Sequence, residues 1–164
     1  MSMKIRFADL SYLDEITNIE LSCFPKEQAA KREQFRSRLI AYPEHFLLLC
    51  DDSGKAAAFI NGFVTDLPDL TDKMYKSAQL HDESGAWQMI FGLCTHPEHR
   101  HKGFAHTLMN EFLHLARAQG RKGAVLTCKS ELISFYEQFG FENEGVSKGS
   151  VIGGVKWYQM RKLF

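Results

Sequence analysis

Thr95-His96-Pro97-Glu98-His99-Arg100-His101-Lys102-Gly103-Phe104-Ala105 is the stretch from which the rest of the chain can be read. It follows an apolar run, Trp87 to Cys94, with the character of a buried strand, and it leads into a helical pattern from Gly103 to Gln119. A strand that runs into a basic, glycine-bearing loop at a helix start is a phosphate-binding device. The first N–H groups of a helix lack intrahelical partners, and the helix dipole places partial positive charge there. Gly103 has no Cβ, so an anion can approach the main chain closely.

Outward from this loop, the helix carries Phe104, Leu108, Met109, Phe112, Leu115 and Ala116 on one face, and Gly120 suits its C-terminal cap. Gly123 to Cys128 reads as the next strand and Leu132 to Phe139 as a short helix ended by Gly140. Asn143 to Val146 and Val155 to Arg161 read as closing strands joined by a Gly149–Gly154 turn. In the other direction, Gly92 interrupts the strand Trp87 to Thr95. It marks a bulge or a close backbone approach, or simply accommodates packing. Asp66 to Ser84 is polar, holds two short helical fragments at most, and reads either as a lid or as a surface loop. Lys55 to Thr65 and Phe46 to Cys50 form a hairpin about the turn Asp51-Asp52-Ser53-Gly54. Gln28 to Tyr42 is expected to be a helix with Phe35, Leu39 and Ile40 inward. Its charges, Lys31, Arg32, Glu33, Arg36 and Arg38, are expected on a solvated face. Leu13, Ile16, Ile19/Glu20 and Cys23 recur at helical spacing after a strand at Lys4 to Phe7. Asp9 or Ser11 is the expected cap, and Phe24-Pro25 the stop. The order β-α-α-β-β-β-α-β-α-β-β gives an α+β fold in a single domain, residues 1–164.

Arg100-x-x-Gly103-x-Ala105 resembles the (Arg/Gln)-x-x-Gly-x-(Gly/Ala) signature of the GCN5-related N-acetyltransferase (GNAT) superfamily. Phe135-Tyr136-Glu137-Gln138-Phe139-Gly140-Phe141 is similar to its C-terminal element, and Ile19-Glu20 to Phe24 to its first helix. The resemblance is nearest to the arylalkylamine (serotonin) N-acetyltransferase branch, through Ala124-Val125-Leu126-x-Cys128 and the Phe135–Phe141 element. That branch carries two catalytic histidines, however, where this chain has Met89 and Phe91. The resemblance implies a mixed, mostly antiparallel seven-stranded sheet flanked by helices, with a bulged and splayed central strand. It implies acetyl-CoA as cosubstrate. Leu93, Cys94 and Thr95 would lie along the pantetheine arm, and the loop Arg100, His101, Lys102, Gly103, Phe104, Ala105 and His106 would hold the diphosphate. It further implies Tyr136 as the acid for the departing thiolate and points to Glu20 as an acceptor of the amine proton through water. His81, Asp82 and Glu83 are further candidate bases, and water alone suffices for an amine that is already neutral. A phenol of pKa ~10 is protonated at neutral pH and suits a leaving thiol of pKa ~8.5.

Composition bounds the alternatives. A chain of 164 residues with 45% apolar content can build a full core, and its formal net charge of zero argues against a general nucleic-acid binder. Cys23, Cys50, Cys94 and Cys128 are far apart in apolar contexts with no Cys-x-x-Cys pair, as expected of free thiols in a reducing compartment. Met1 to Phe7 has no apolar signal-like core, and no run approaches the ~18 apolar residues of a membrane span, so a cytoplasmic protein is expected. Pro97 and the loop context keep His96, His99 and His101 from converging, the acetyl transfer that the resemblance implies needs no metal, and none is expected. The P-loop and dinucleotide fingerprints are missing from the sequence. An N-acetyltransferase acting on a small amine or a peptide or protein amine, as a monomer or homodimer, is the leading expectation. A coenzyme A-binding sensor with little catalysis is the alternative, and transfer of a longer acyl chain a further one.

Overall fold

The computed structural model of the chain describes Ser2–Phe164. Its contacts divide it into two compact units, one running to Gly62 and taking in Gly92–Phe112, the other Phe63–Phe91 with Leu113–Phe164.

The first unit is built on a sheet of order β1-β2-β3-β6, where β1 is Lys4–Phe7, β2 Phe46–Cys50, β3 Ala56–Asn61 and β6 Gly92–Thr95. All its pairings are antiparallel. Two helices, α1 (Leu13–Cys23) and α2 (Arg32–Ala41), contribute Leu13, Ile16, Ile19, Phe35 and Leu39 to the core. There Phe35 meets Phe46 and Phe59 edge-on, with ring centroids 6.1 and 5.7 Å away. Aromatic pairs favour this geometry because the positive ring edge meets the negative face.

Local chemistry sets the helix ends. Asp9 accepts from the Ser11 N–H, but it caps a 3-10 turn at Leu10–Tyr12, not α1 itself. No side chain caps α1, so the cap expected from Asp9 or Ser11 does not form on that helix. Helix α2 starts four residues later than the sequence pattern suggests. Pro25 gathers the Gln28 and Ala29 amides onto its carbonyl, and the Ala30 amide is taken by the Glu20 carboxylate at 2.8 Å. Two further expectations for α2 are corrected. Ile40 is exposed, and Arg38 is buried and donates to Asn61 Oδ1 at 3.0 Å.

The second unit holds a sheet of order β4-β5-β7-β9-β8, with β4 Val64–Thr65, β5 Trp87–Ile90, β7 Gly123–Cys128, β9 Tyr158–Leu163 and β8 Glu142–Val146. Strands β5 and β7 pair in parallel, as a strand–helix–strand crossover requires, and the other pairs are antiparallel. The crossover helix, α4 (Phe104–Ala118), buries Leu108, Met109, Phe112, Leu113 and Ala116, and closes at Gly120 with φ 83°. A Cβ at Gly123 would lie 2.2 Å from the Lys162 carbonyl oxygen, so only glycine fits this start of β7.

The sheets are therefore mixed and mostly antiparallel, but the described residues form nine strands where the sequence suggests seven. The expected strands Lys55–Thr65 and Trp87–Thr95 are each divided between the two sheets, the second at Phe91. Asn61 pairs with Gly92, and Val64 pairs with Gln88. Three residues, 89–91, thus face two, 62–63, which is a β-bulge. The bulge lies just before Gly92, which is itself a regular, paired member of β6.

Asp66 to Ser84 contains the short helix α3 (Asp72–Lys76) and a 3-10 turn at Ala78–Leu80. It is tied down within its unit. The Asp72 amide donates to the Gly149 carbonyl at 2.9 Å, the Leu70 amide to Gln159 Oε1 at 3.0 Å, and Leu70 and Met74 are fully buried. Among the described residues no helix is long and apolar enough to cross a membrane.

Phe35→Ala removes the ring on which the first unit's aromatic cluster converges. It is expected to cost ~3–5 kcal/mol, read as a lowered denaturant midpoint at unchanged slope.

Candidate functional site

The basic loop is shaped by its own main chain. The His96 ring accepts from the Glu98 amide at 3.1 Å and so starts a 3-10 turn at Pro97–His99. His101 then takes φ 64° and Gly103 φ 78°, both left-handed. Alternation of this kind turns successive amides to one side and makes a concave anion-binding nest. A Cβ built on Gly103 would meet nothing within 4 Å, so no protein atom fills that concavity. The first backbone bond of α4 runs from the Thr107 amide to the Gly103 carbonyl at 3.1 Å. By helix geometry the amides before it project from the N-terminus. Arg100, His101, Lys102 and His106 are exposed, and Phe104 and Ala105 are half-buried. The Phe104 ring lies 5.9 Å from that of His99. The Arg100 guanidinium turns toward the C-terminus of α1, with Nη2 3.5 Å from the Ser22 carbonyl and 3.7 Å from Cys23 Sγ.

Strand β6, which feeds the loop, is an edge strand of its sheet: among the described residues it has a strand partner on the β3 side only. The His96 amide donates to the Ala57 carbonyl at 2.8 Å. Antiparallel alternation then directs the main-chain groups of Gly92 and Cys94 to β3, and those of Leu93 and Thr95 to the open edge. The Cys94 side chain is buried toward α1, where its thiol lies 3.2 Å from Glu20 Oε1.

Glu20 is the buried carboxylate of this unit, only 6% exposed. Burial pushes its pKa above the usual value, against the opposing pull of the Ala30 amide, the Cys94 thiol and the Arg38 charge. Cys23, at the end of α1, behaves in the opposite way. The Cys94 thiol and the Arg100 guanidinium both favour its thiolate and hold its pKa at about 6.

Tyr136 belongs to the second unit. It lies in α5 (Ile133–Glu137), is buried, and packs edge-on against Phe135 and Phe141, with centroids 5.1 and 6.2 Å away. The other candidate bases have structural engagements. His81 Nδ1 accepts from the Val64 amide at 3.0 Å, Asp82 holds a turn through Ser84, and Glu83 pairs with Arg121 at 2.7 Å. Met89 is fully buried. Phe91 packs at 5.0 Å from Phe63 and at 4.9 Å from Tyr75, whose hydroxyl meets Thr127 Oγ1 at 2.9 Å.

The structure thus brings Glu20, Cys94, Thr95 and Arg100 around the end of α1, with the loop running on from them into α4. Two members of that neighbourhood are missed by sequence reasoning. Arg38 shares the inward face with Phe35 and Leu39 at i, i+3 and i+4, a spacing that could have flagged it. Cys23 reads only as the last apolar position of α1.

The sequence pattern of the Acetyltransferase (GNAT) family fits residues 13–141. The chain belongs to that family. It is 34% identical over 109 residues to the serotonin N-acetyltransferase of Mesocricetus auratus, covering 62% of this chain and 51% of that enzyme. It is 31% identical over 145 residues to the Homo sapiens serotonin N-acetyltransferase, covering 77% of this chain and 69% of that one. The chain thus spans about half the length of the first of these relatives. Its fold is that of the loading GNATL domain of CurA from Lyngbya majuscula, with a TM-score of 0.85 at 16% identity, covering 99% and 98% of the two chains. The acyl donor implied by the family is acetyl-CoA, and the donor set fits it. The left-handed turn before α4 has the form of an anion-binding nest, which suits a diphosphate, and the edge of β6 away from β3 offers main-chain groups of the kind that suit an amide-bearing arm.

Because burial raises the pKa of Glu20, ionising it costs folding free energy. Stability is fully present below the usual glutamate value of 4.5 and is lost as pH rises through the raised folded value. Glu20→Gln keeps an acceptor for the Ala30 amide and removes the charge. It is expected to be more stable than the native chain at about pH 8, with the gain vanishing near about pH 4, in denaturant titrations at both pH values.

Proposed function

We propose that residues 1–164 act as one acetyl-CoA-dependent N-acetyltransferase domain, cytoplasmic and monomeric or homodimeric. It acts on a primary amine, either small or on a peptide or protein, and not on nucleic acid or at a membrane. The observation that carries the reading is the open edge of β6 running directly into the left-handed turn at His101 and Gly103. A thioester donor needs that combination: an unpaired main-chain edge for its amide-bearing arm and a nest of amides for its diphosphate. Leu93 and Thr95 supply the edge, and the loop from Arg100 to His106 supplies the nest, with the side chains of Arg100, His101 and Lys102 adding positive charge.

The transfer is direct. The neutral amine nitrogen attacks the thioester carbon, the C–S bond breaks, and the departing thiolate takes a proton from the Tyr136 hydroxyl. The proton released by the amine passes through water to Glu20. Support for Glu20 comes from its raised pKa, which makes its carboxylate a stronger proton acceptor than an ordinary glutamate. The Met89 and Phe91 side chains have no group to relay a proton, so this chain does not use the two-histidine route of the arylalkylamine branch. The serotonin N-acetyltransferase relatives nevertheless make arylalkylamines the first acceptors to try.

Tyr136→Phe is expected to lower kcat by ~10²-fold or more with little change in the KM for acetyl-CoA. The measurement is release of free coenzyme A, separated chromatographically, against arylalkylamines, polyamines and N-terminal peptides. Unchanged kcat would remove Tyr136 from the mechanism. Binding of acetyl-CoA by the native chain without turnover on any acceptor would replace the enzyme by a coenzyme A-binding module.

A further inference from the structure

We propose that Cys23 and Cys94 form a redox-active dithiol, in which the Cys23 thiolate is oxidised by a peroxide and Cys94 then closes the pair to a reversible disulfide. Nothing in acetyl transfer requires these two sulfurs to be neighbours, yet they are 71 positions apart in sequence and share one neighbourhood: Cys23 Sγ lies 3.3 Å from the carbonyl of Thr95, the residue after Cys94, and Cys94 Sγ lies 3.2 Å from Glu20, which precedes Cys23 by one turn of α1.

The surroundings of the two sulfurs differ in the way such a pair requires. Cys23 is partly exposed at the end of α1. As a thiol it lies 3.3 Å from the Thr95 carbonyl. As a thiolate it has a charged donor in Arg100 Nη2 at 3.7 Å. Cys94 is buried, and its pKa is raised well above the ordinary thiol value by burial. It nevertheless has a proton acceptor in reach, Glu20 Oε1 at 3.2 Å. An accessible, cation-stabilised thiolate next to a buried thiol is the arrangement of an attacking and a resolving cysteine. The remaining cysteines are internal controls. Burial raises the pKa of both Cys50 and Cys128, the latter to about 12, and neither has a guanidinium hydrogen-bonded to its sulfur as Cys23 does.

The steps balance. The Cys23 thiolate attacks one peroxide oxygen, an S–O bond forms, the O–O bond breaks, and hydroxide leaves to be protonated to water. Cys94 passes its proton to the Glu20 carboxylate, and its sulfur attacks Cys23. The S–S bond forms as the S–O bond breaks, and the second oxygen leaves as water. Two thiols lose two electrons, and one hydrogen peroxide becomes two waters.

Closing the disulfide also removes the Cys94 S–H bond from Glu20. The groups that face Glu20 are the Ala30 amide, Cys94, Arg38 and Cys23. Of the two sulfur contributions, the lowering by the Cys94 bond exceeds the raising by Cys23, so oxidation moves the Glu20 pKa further up. This consequence, unlike the dithiol itself, rests on the function proposed above, with Glu20 as proton acceptor. The oxidised enzyme would then show the acid limb of its kcat profile at higher pH.

The test is titration of the reduced full chain with hydrogen peroxide, followed by alkylation and peptide mapping. The expected product has lost two hydrogens, links the Cys23 and Cys94 peptides, is restored by dithiothreitol, and leaves Cys50 and Cys128 alkylated. Cys94→Ser should instead accumulate a Cys23 sulfenic acid trapped by dimedone, and Cys23→Ser should leave Cys94 unoxidised. No variant is needed for a further check: the alkylation rate of Cys23 in the native chain should rise with pH about a midpoint of about 6. A midpoint at the ordinary 9.0, or oxidation of Cys23 without the link to Cys94, overturns the dithiol. A disulfide that forms while the acid limb stays in place upholds the dithiol and overturns Glu20 as the proton acceptor.

Discussion

One extra residue separates two strand pairings that the same two chain segments make. Because residues 89–91 face only 62–63, the chain leaves β5 in one sheet and enters β6 in the other with its pairing shifted by one. A shift of one residue reverses which side chains point to which face. Among the described residues β6 has β3 on one side and no strand on the other. A free strand edge is normally an aggregation liability that proteins cover or blunt. Here the edge is only four residues long, which limits that liability. It runs into a turn whose left-handed residues gather amides at the head of α4. The main-chain groups of the edge and those of the helix start are therefore contiguous along one chain segment. A ligand with both amide and phosphate groups satisfies both at once.

Much of this was legible in the sequence because the signals were local. The loop from Thr95 to Ala105 announces itself by charge, glycine and position, and the 3.6-residue spacing of Leu108, Met109, Phe112 and Ala116 fixes α4 around its buried face. Gly54, Gly120 and Gly140 all adopt the positive φ that their turn contexts suggest. What stayed hidden was decided by partners distant in sequence. The late start of α2 depends on Glu20 capturing the Ala30 amide, ten residues away. Arg38 looked like one solvated charge among five until Asn61, 23 residues on, supplied a buried acceptor. The strand break falls at Phe91, not at Gly92, since the register of two separate pairings places it there. No composition rule could distinguish those adjacent positions. The histidine pair of the arylalkylamine branch is replaced by Met89 and Phe91, which the sequence did show. That Phe91 joins Phe63 and Tyr75 in an aromatic cluster was beyond its reach.

The first unit buries a carboxylate, Glu20. Removing a charge from water is expensive, and a carboxylate survives it only if hydrogen bonds and opposite charge compensate. Glu20 receives one amide bond and one thiol bond, and the Arg38 charge adds to them, yet burial still dominates. Arg38 in turn is held over the Phe35 ring at 5.2 Å and by Asn61, so its position is fixed by the aromatic core and not by Glu20. The balance at Glu20 is thus set by groups whose places are determined for other reasons: a turn amide after Pro25, a core-anchored guanidinium, and a cysteine on an edge strand. A small change in any one of them shifts the proton affinity of the carboxylate without touching its geometry. Of the three, only the cysteine can be altered by solution chemistry alone. That is why the contact between Cys94 and Glu20, and not burial, is the point at which the chemical state of the surroundings can reach the carboxylate.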